Sequence, residues 1–218
     1  MKHRTKNNID LILNLVIVIS TLLAVGCYFV LGPDILGSVG ADCFKYFTTD
    51  SNILVAIAAV IMLVFNVRRI KYPNASLPKW VILFKYVATV SVTITLLVVV
   101  FFLAPMGYAR GGIKTFLFYF KDNIFALHLS TPVISIISFA LFEKDHKLST
   151  RDSLWALIPT VVYSVVYLVM VVFVKRWTDW YGFTFGGKVF MIPVSMIGMY
   201  LVTFLVATAL RKIRKADQ

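Results

Sequence analysis

Residues 80–104 read WVILFKYVATVSVTITLLVVVFFLA, twenty-five residues with a single charge, Lys85. As a helix rising 1.5 Å per residue this stretch is about 37 Å long. That exceeds the ~30 Å of a bilayer's hydrocarbon, so it is read as a transmembrane helix. A soluble core helix would show apolar residues on one face at helical spacing, and this run is apolar all round.

Five further runs share this character, near residues 10–31, 51–67, 123–142, 154–174 and 189–210. The second is short, and its start is placed as far back as Thr48. The 218 residues are 60% hydrophobic with a mean hydropathy of +0.86, above the half that is usual in soluble domains. The expected fold is therefore all-α: a polytopic membrane protein, one transmembrane domain over residues 1–218, built as a six-helix bundle. The connections reach about twenty residues and hold glycine and proline, among them Gly32-Pro33, Gly37, Gly40, Gly107, Gly111, Gly112, Gly182, Gly186 and Gly187. They leave no room for an appended soluble domain, and no internal repeat marks an inverted-repeat transporter.

The net charge of +12 would suggest nucleic acid in a soluble protein. Here the cations lie between the apolar runs, and topology explains them without nucleic acid. Fourteen Lys and Arg fall on one set of segments: Lys2, Arg4 and Lys6; Arg68, Arg69, Lys71 and Lys79; Lys144, Lys147 and Arg151; Arg211, Lys212, Arg214 and Lys215. Seven fall on the other: Lys45, Arg110, Lys114, Lys121, Lys175, Arg176 and Lys188. The richer set is cytoplasmic by the positive-inside rule, which puts both termini in the cytoplasm. Lys85 lies near the cytoplasmic end of its span, within snorkelling reach of water. The expected location is the cell membrane, the inner or plasma membrane if the source is bacterial.

Two cysteines, Cys27 and Cys43, are too few for a disulfide framework or a Cys-rich metal site, and two unpaired thiols are expected. Ala24-Val25-Gly26-Cys27 has the outline of a lipoprotein signal. The apolar run continues to Leu31, which favours an uncleaved span. Asn74-Ala75-Ser76 fits a glycosylation acceptor but falls on the cytoplasmic side of this topology.

Polar groups within hydrocarbon are costly, so each asks for a reason. Phe47-Thr48-Thr49-Asp50-Ser51-Asn52 opens the second span, and the fourth carries His128, Ser130, Thr131 and Pro132. Both spans descend from the outside, so Thr48, Ser51, Asn52 and His128 share the outer leaflet. Thr48 or Thr49 is a good N-cap, and Asp50 complements the helix dipole. Ser51 and Asn52 also follow Thr48 by three and four residues, on one helix face. The helix start offers N–H groups able to hold an oxyanion. His128 is the only histidine within a span, either a satisfied structural residue or a base. Pro132, four residues on, removes the hydrogen bond to the His128 carbonyl and bends the helix there. In the fifth span Pro159 precedes Tyr163 and Tyr167, which share a face. The loop Trp177-Thr178-Asp179-Trp180-Tyr181-Gly182-Phe183 follows, either an interfacial aromatic belt or a roof over the same outer cavity.

No HExxH zinc motif, phosphate-binding glycine loop or Gly-x-Ser-x-Gly elbow is present. The acidic residues sit in loops, with Asp10 and Asp50 near span ends. That is too few buried carboxylates for a proton-coupled carrier. Asp10 and Asn14 read as a structural pair. No metal or other cofactor is called for.

Lys45-Tyr46-Phe47-Thr48-Thr49-Asp50-Ser51-Asn52 resembles the Phe-Thr-x-x-Ser-Asn signature of small bacterial six-span proteins related to the androgen-induced-gene and androgen-dependent TFPI-regulating proteins. His128 with Pro132 resembles that family's His-x-x-x-Pro. Pro159, Tyr163, Tyr167 and Trp180-Tyr181-Gly182-Phe183 resemble its fifth span and aromatic loop, though without the family's prolines around Tyr181 and Phe183. The eukaryotic relatives are intramembrane threonine hydrolases of fatty-acid esters of hydroxy fatty acids. The resemblance implies Thr48 as nucleophile and His128 as its base. Ser51, Asn52 and the helix N–H groups are then candidates for the oxyanion, and Tyr163, Tyr167 or Asp50 for orienting the imidazole. Tyr163, Tyr167 and Tyr181 join the substrate-binding set. The implied partner is a membrane lipid or lipid ester. The alternative is a non-enzymatic protein binding a lipid or small hydrophobic ligand in the same cavity. A channel or transporter is a third reading.

Overall fold

The structure is a computed structural model describing residues 2–31, 39–72 and 75–214, with the backbone alone for residues 2–4. Gly32, Pro33, Gly37, Asn74 and Lys215 lie outside the described residues. Those residues contain helix and no strand. Six helices are long and apolar enough to cross a membrane: α1 (Lys2–Val30), α2 (Phe47–Lys71), α3 (Lys79–Phe118), α4 (Asp122–Phe142), α5 (Thr150–Phe173) and α6 (Val189–Ile213). Leu22, Val64, Phe101, Phe190 and Ile197 each stay about two-thirds or more exposed. Apolar surface on that scale belongs against hydrocarbon, and the chain is a membrane-embedded, multi-pass protein.

The helix α3 is the most buried of the six and forms the centre. It packs on α2, α4 and α6, while α1 packs on α2 and α4. Hydroxyl pairs join the helices: Ser20 to Thr131 at 3.1 Å, Ser51 to Thr95 at 2.8 Å, and Thr89 to Ser135 at 3.0 Å. Small polar residues let backbones approach, and each such bond contributes about 0.6 kcal/mol in a membrane bundle. No disulfide joins Cys27 and Cys43.

Three departures from the sequence reading have local causes. The helix α5 begins at Thr150 rather than 154, because Ser149 and Asp152 form a reciprocal capping box. The third connection, expected as a glycine-containing loop, is largely helical. The helix runs past Ala104 and breaks only at Gly111 and Gly112, where Gly112 has φ +69°. Finally, Lys85 does not snorkel. It is fully buried, donating to Asn14 Oδ1 at 2.6 Å and lying 3.9 Å from Glu143 Oε1. The neighbouring helices close its path to water, and carboxylates supply the compensating charge.

That charge cluster occupies the end of the bundle where α1 and α3 begin and α2 and α4 end. The Asp10 carboxylate accepts from Asn14 at 3.1 Å, Asn66 at 3.0 Å and Ser138 at 2.8 Å. The expected Asp10–Asn14 pair is present inside this larger network. Glu143, read as a loop residue, is fully buried, and burial pushes its carboxyl above the usual range against the opposing pull of Lys85.

Candidate functional site

At the opposite end, α2 starts on a 3-10 turn, Gly40–Lys45. The N-cap is Tyr46, extended and without a side-chain cap bond. The capping role considered for Thr48 or Thr49 is therefore not the one they play: both lie inside the first helical turn. The Thr49 and Asp50 amides turn back onto the Tyr46 carbonyl, at 3.1 and 3.3 Å.

His128 sits in a π turn, Ala126–Ser130, closed by the Thr131 amide donating to the Ala126 carbonyl. In this register the amide of residue 132 would serve Leu127, but Pro132 has no N–H. The orphaned carbonyl is thus that of Leu127, not of His128 as the α-helical register implied. Asn52 Nδ2 fills the gap, donating to Leu127 O at 2.9 Å and to Thr48 O at 2.7 Å. Ser51 Oγ donates to the same Thr48 carbonyl at 3.1 Å. Asn52 and Ser51 therefore fix the backbone of Thr48 and tie α2 to α4. Both amide protons of Asn52 are committed to carbonyls, so the oxyanion role considered for it has no proton left to serve it. Ser51, buried and paired with Thr95, faces α3.

The imidazole is held by a group the sequence reading did not consider. His128 Nδ1 lies 2.8 Å from the Tyr119 carbonyl oxygen. A carbonyl only accepts, so Nδ1 carries the proton in the neutral ring and Nε2 keeps its lone pair. The Tyr119 ring also stacks on the imidazole at 6.3 Å. The tail of α3 delivers Tyr119 by folding back after Gly111–Gly112. The turn is tight: a Cβ on Gly107 would meet Tyr119 Cε2 at 2.9 Å.

Thr48 and His128 line one cavity of about 150 Å3, together with Thr49, Tyr119, Arg110 and Tyr181. Thr49 is buried, and its hydroxyl has no partner among the described residues. A buried hydroxyl in the wall of the cavity that holds His128 is a candidate polar contact there. Sequence reading passed over Thr49 because a threonine at a helix start reads as a cap.

The aromatic loop reaches this cavity. Trp180 and Tyr181 are in its wall, and Trp180 packs edge-on against Tyr46 at 5.0 Å. Asp179 organises the loop. It accepts from Tyr167 Oη at 2.9 Å, the Phe183 and Thr184 amides at 2.9 and 2.7 Å, and the Thr184 hydroxyl at 2.6 Å. Burial raises the Asp179 carboxyl, but these donors more than offset it and leave it below its ordinary value. Tyr167 accordingly supports the loop, and its hydroxyl also receives the Tyr181 amide at 3.2 Å. Burial pushes the Tyr181 hydroxyl up to about 12. Tyr163 donates to the Lys45 carbonyl at 2.8 Å. The hydroxyls of Tyr163 and Tyr167 are thus engaged elsewhere, and the Tyr119 carbonyl holds the imidazole in their place. No protein-family model matches the chain, and no match is found among curated proteins or solved structures.

Two further cavities adjoin the first. A narrow one of about 40 Å3 shares Thr48, Leu103 and Tyr181 with it, and adds Val98, Tyr163 and Phe183. A larger one of about 590 Å3 lies between α3, α6 and the aromatic loop. It shares Val98, Tyr181, Phe183 and Met199 with the narrow one.

Proposed function

We propose that the chain is an intramembrane hydrolase of lipid esters, of the fatty-acid ester of hydroxy fatty acid type. Thr48 is the nucleophile and His128 the base, in a cavity in the outer leaflet of the cell membrane with both termini cytoplasmic. The observation that carries this reading is the shared cavity: Thr48 and His128 line it together, and the Tyr119 carbonyl holds Nδ1 so that Nε2 is the basic nitrogen. A backbone carbonyl here does the orienting that a carboxylate does in serine hydrolases.

In the first half-reaction Nε2 takes the Thr48 hydroxyl proton as Oγ1 bonds to the ester carbonyl carbon. The resulting oxyanion is served by the Thr48 amide in the first turn of α2, since the next two amides bond Tyr46. Collapse breaks the bond to the alkoxy oxygen, and the imidazolium returns its proton to that oxygen, releasing a hydroxy lipid. Water then attacks the threonyl ester with the same base, releasing the fatty acid and restoring Thr48.

The test uses purified protein and a fluorophosphonate probe. Labelling and esterase activity are expected in the wild type and absent in Thr48→Ala and His128→Ala. Labelling retained in Thr48→Ala overturns the nucleophile assignment, and transfer of the loss to Thr49→Ala moves the role to its neighbour. The apolar chamber beside the site also fits a protein that binds lipid without cleaving it. Saturable lipid binding with no turnover of any ester selects that reading.

A further inference from the structure

The three adjoining cavities differ in chemistry in a graded way. The one holding Thr48 and His128 carries Thr49, Arg110 and the Tyr119 ring. The narrow one is walled almost wholly by carbon, from Val98, Val99, Leu103 and Phe183, with Thr48 in its lining. The large one is apolar and open at the side, between Leu97–Phe102 of α3 and Ser195–Val202 of α6. Phe101 is 73% exposed and Phe185 55% exposed at its rim, so it faces the hydrocarbon that surrounds the bundle. Tyr181 contributes to all three walls.

We infer that the large chamber and the narrow waist form a lateral binding site for a single unbranched acyl chain, which enters from the membrane between α3 and α6 and presents its ester carbonyl to Thr48. This deepens the hydrolase reading and rests on it. The occupant follows from continuity and shape. The waist shares Thr48 with the polar cavity and Val98, Phe183 and Met199 with the chamber, so it links the two. The waist offers only about 40 Å3 between apolar walls, which suits a slender polymethylene chain better than a ring or branched group. The chamber, at about 590 Å3 against about 40 Å3, is far roomier than the waist and takes the length of chain behind the carbonyl. A chain drawn from the bilayer gains little from apolar burial as such, because lipid tails are already apolar. The site selects by fit, and the chain's place in the waist sets where the carbonyl stops.

A π turn, Val99–Leu103, lies in α3 where the waist meets the polar cavity. It places both Val99 and Leu103 on the waist wall. Gly182 and Phe183 carry the loop side of the chamber, and Gly182 takes φ +71°, which favours glycine.

Two arms test the inference on the full chain in detergent or nanodiscs. In the first, a palmitic acid carrying a diazirine at its methyl end is photolysed in the wild-type protein. Adducts confined to Leu97, Phe101, Met199 and Val202, and displaced by unmodified palmitate, are expected. Adducts spread over outward-facing residues such as Leu22, Val64 and Ile197 overturn the site. In the second arm, kcat/KM is measured for p-nitrophenyl acetate and palmitate. Val98→Trp and, independently, Met199→Trp are expected to lower the palmitate-to-acetate ratio by on the order of ten-fold or more. An unchanged ratio in both variants overturns the site. Chamber adducts with no Thr48-dependent hydrolysis remove the hydrolase reading alone. Thr48-dependent hydrolysis with adducts elsewhere removes the chain site alone.

Discussion

Replacing Asn52 by alanine removes the side chain that joins the start of α2 to the π turn of α4. Two carbonyls lose a donor. The Thr48 carbonyl keeps Ser51, so its loss is partial. The Leu127 carbonyl keeps nothing on the same helix, because residue 132 is proline. Hydrogen bonds between membrane helices average about 0.6 kcal/mol and reach about 1.7, since separated helices usually find other partners. The Leu127 carbonyl is the exception, as its helical donor is absent whether or not the helices touch. The cost of Asn52→Ala is therefore expected at the upper end, about 1.7 kcal/mol, measured by reversible unfolding from mixed micelles. Pro132→Ala restores an N–H able to serve Leu127 in the π register. In that background Asn52→Ala is expected to cost about 1 kcal/mol less. A full double-mutant cycle separates this coupling from the cavity left by truncation. Equal costs in the two backgrounds would refute the orphaned-carbonyl argument.

Three other perturbations follow from the same geometry. Gly107→Ala should favour the helix by about 1 kcal/mol on propensity alone, but its Cβ meets Tyr119 at 2.9 Å. The displaced Tyr119 should loosen the His128 clamp and slow probe labelling by on the order of ten-fold with helicity unchanged; wild-type labelling rates would count against the clamp. Lys85→Met takes from the buried Asp10 and Glu143 the cation that acts on them most strongly and should cost about 3–5 kcal/mol, with Lys85→Met/Glu143→Gln recovering part of it in thermal unfolding. For Asp179 the folded pKa lies below the ordinary 3.8, so its stabilisation of the aromatic loop is present above that pH and lost as pH falls through the lower, folded value. Fluorescence of Trp177 and Trp180 should report release of the loop on that acid limb, and Asp179→Asn should show the released signal at neutral pH.

The six helices were legible because each crosses the bilayer as a continuous apolar run, a property that needs no knowledge of neighbours. That α2 and α4 begin at the same end of the bundle followed from counting the spans. The partners within the site did not. Spacing put Thr48, Ser51 and Asn52 on one face, but whether an amide meets a substrate or a carbonyl depends on the helix opposite. The Tyr119 carbonyl has no side-chain signature, and it reaches His128 only because Gly111 and Gly112 turn the chain back. Glu143 looked like a loop residue because its helix ends at Phe142. Its burial depends on Lys85, which is distant in sequence and close in space.

The buried lysine also bears on how the chain is made. Synthesis runs from the N-terminus. When α3 enters the bilayer, Lys85 arrives in hydrocarbon before Glu143 exists. Asp10 and Asn14 on α1 are by then already in place, and Asn14 receives the lysine ammonium directly. The first helix thus acts as a built-in escort for the third, holding its charge until the fourth brings the second carboxylate.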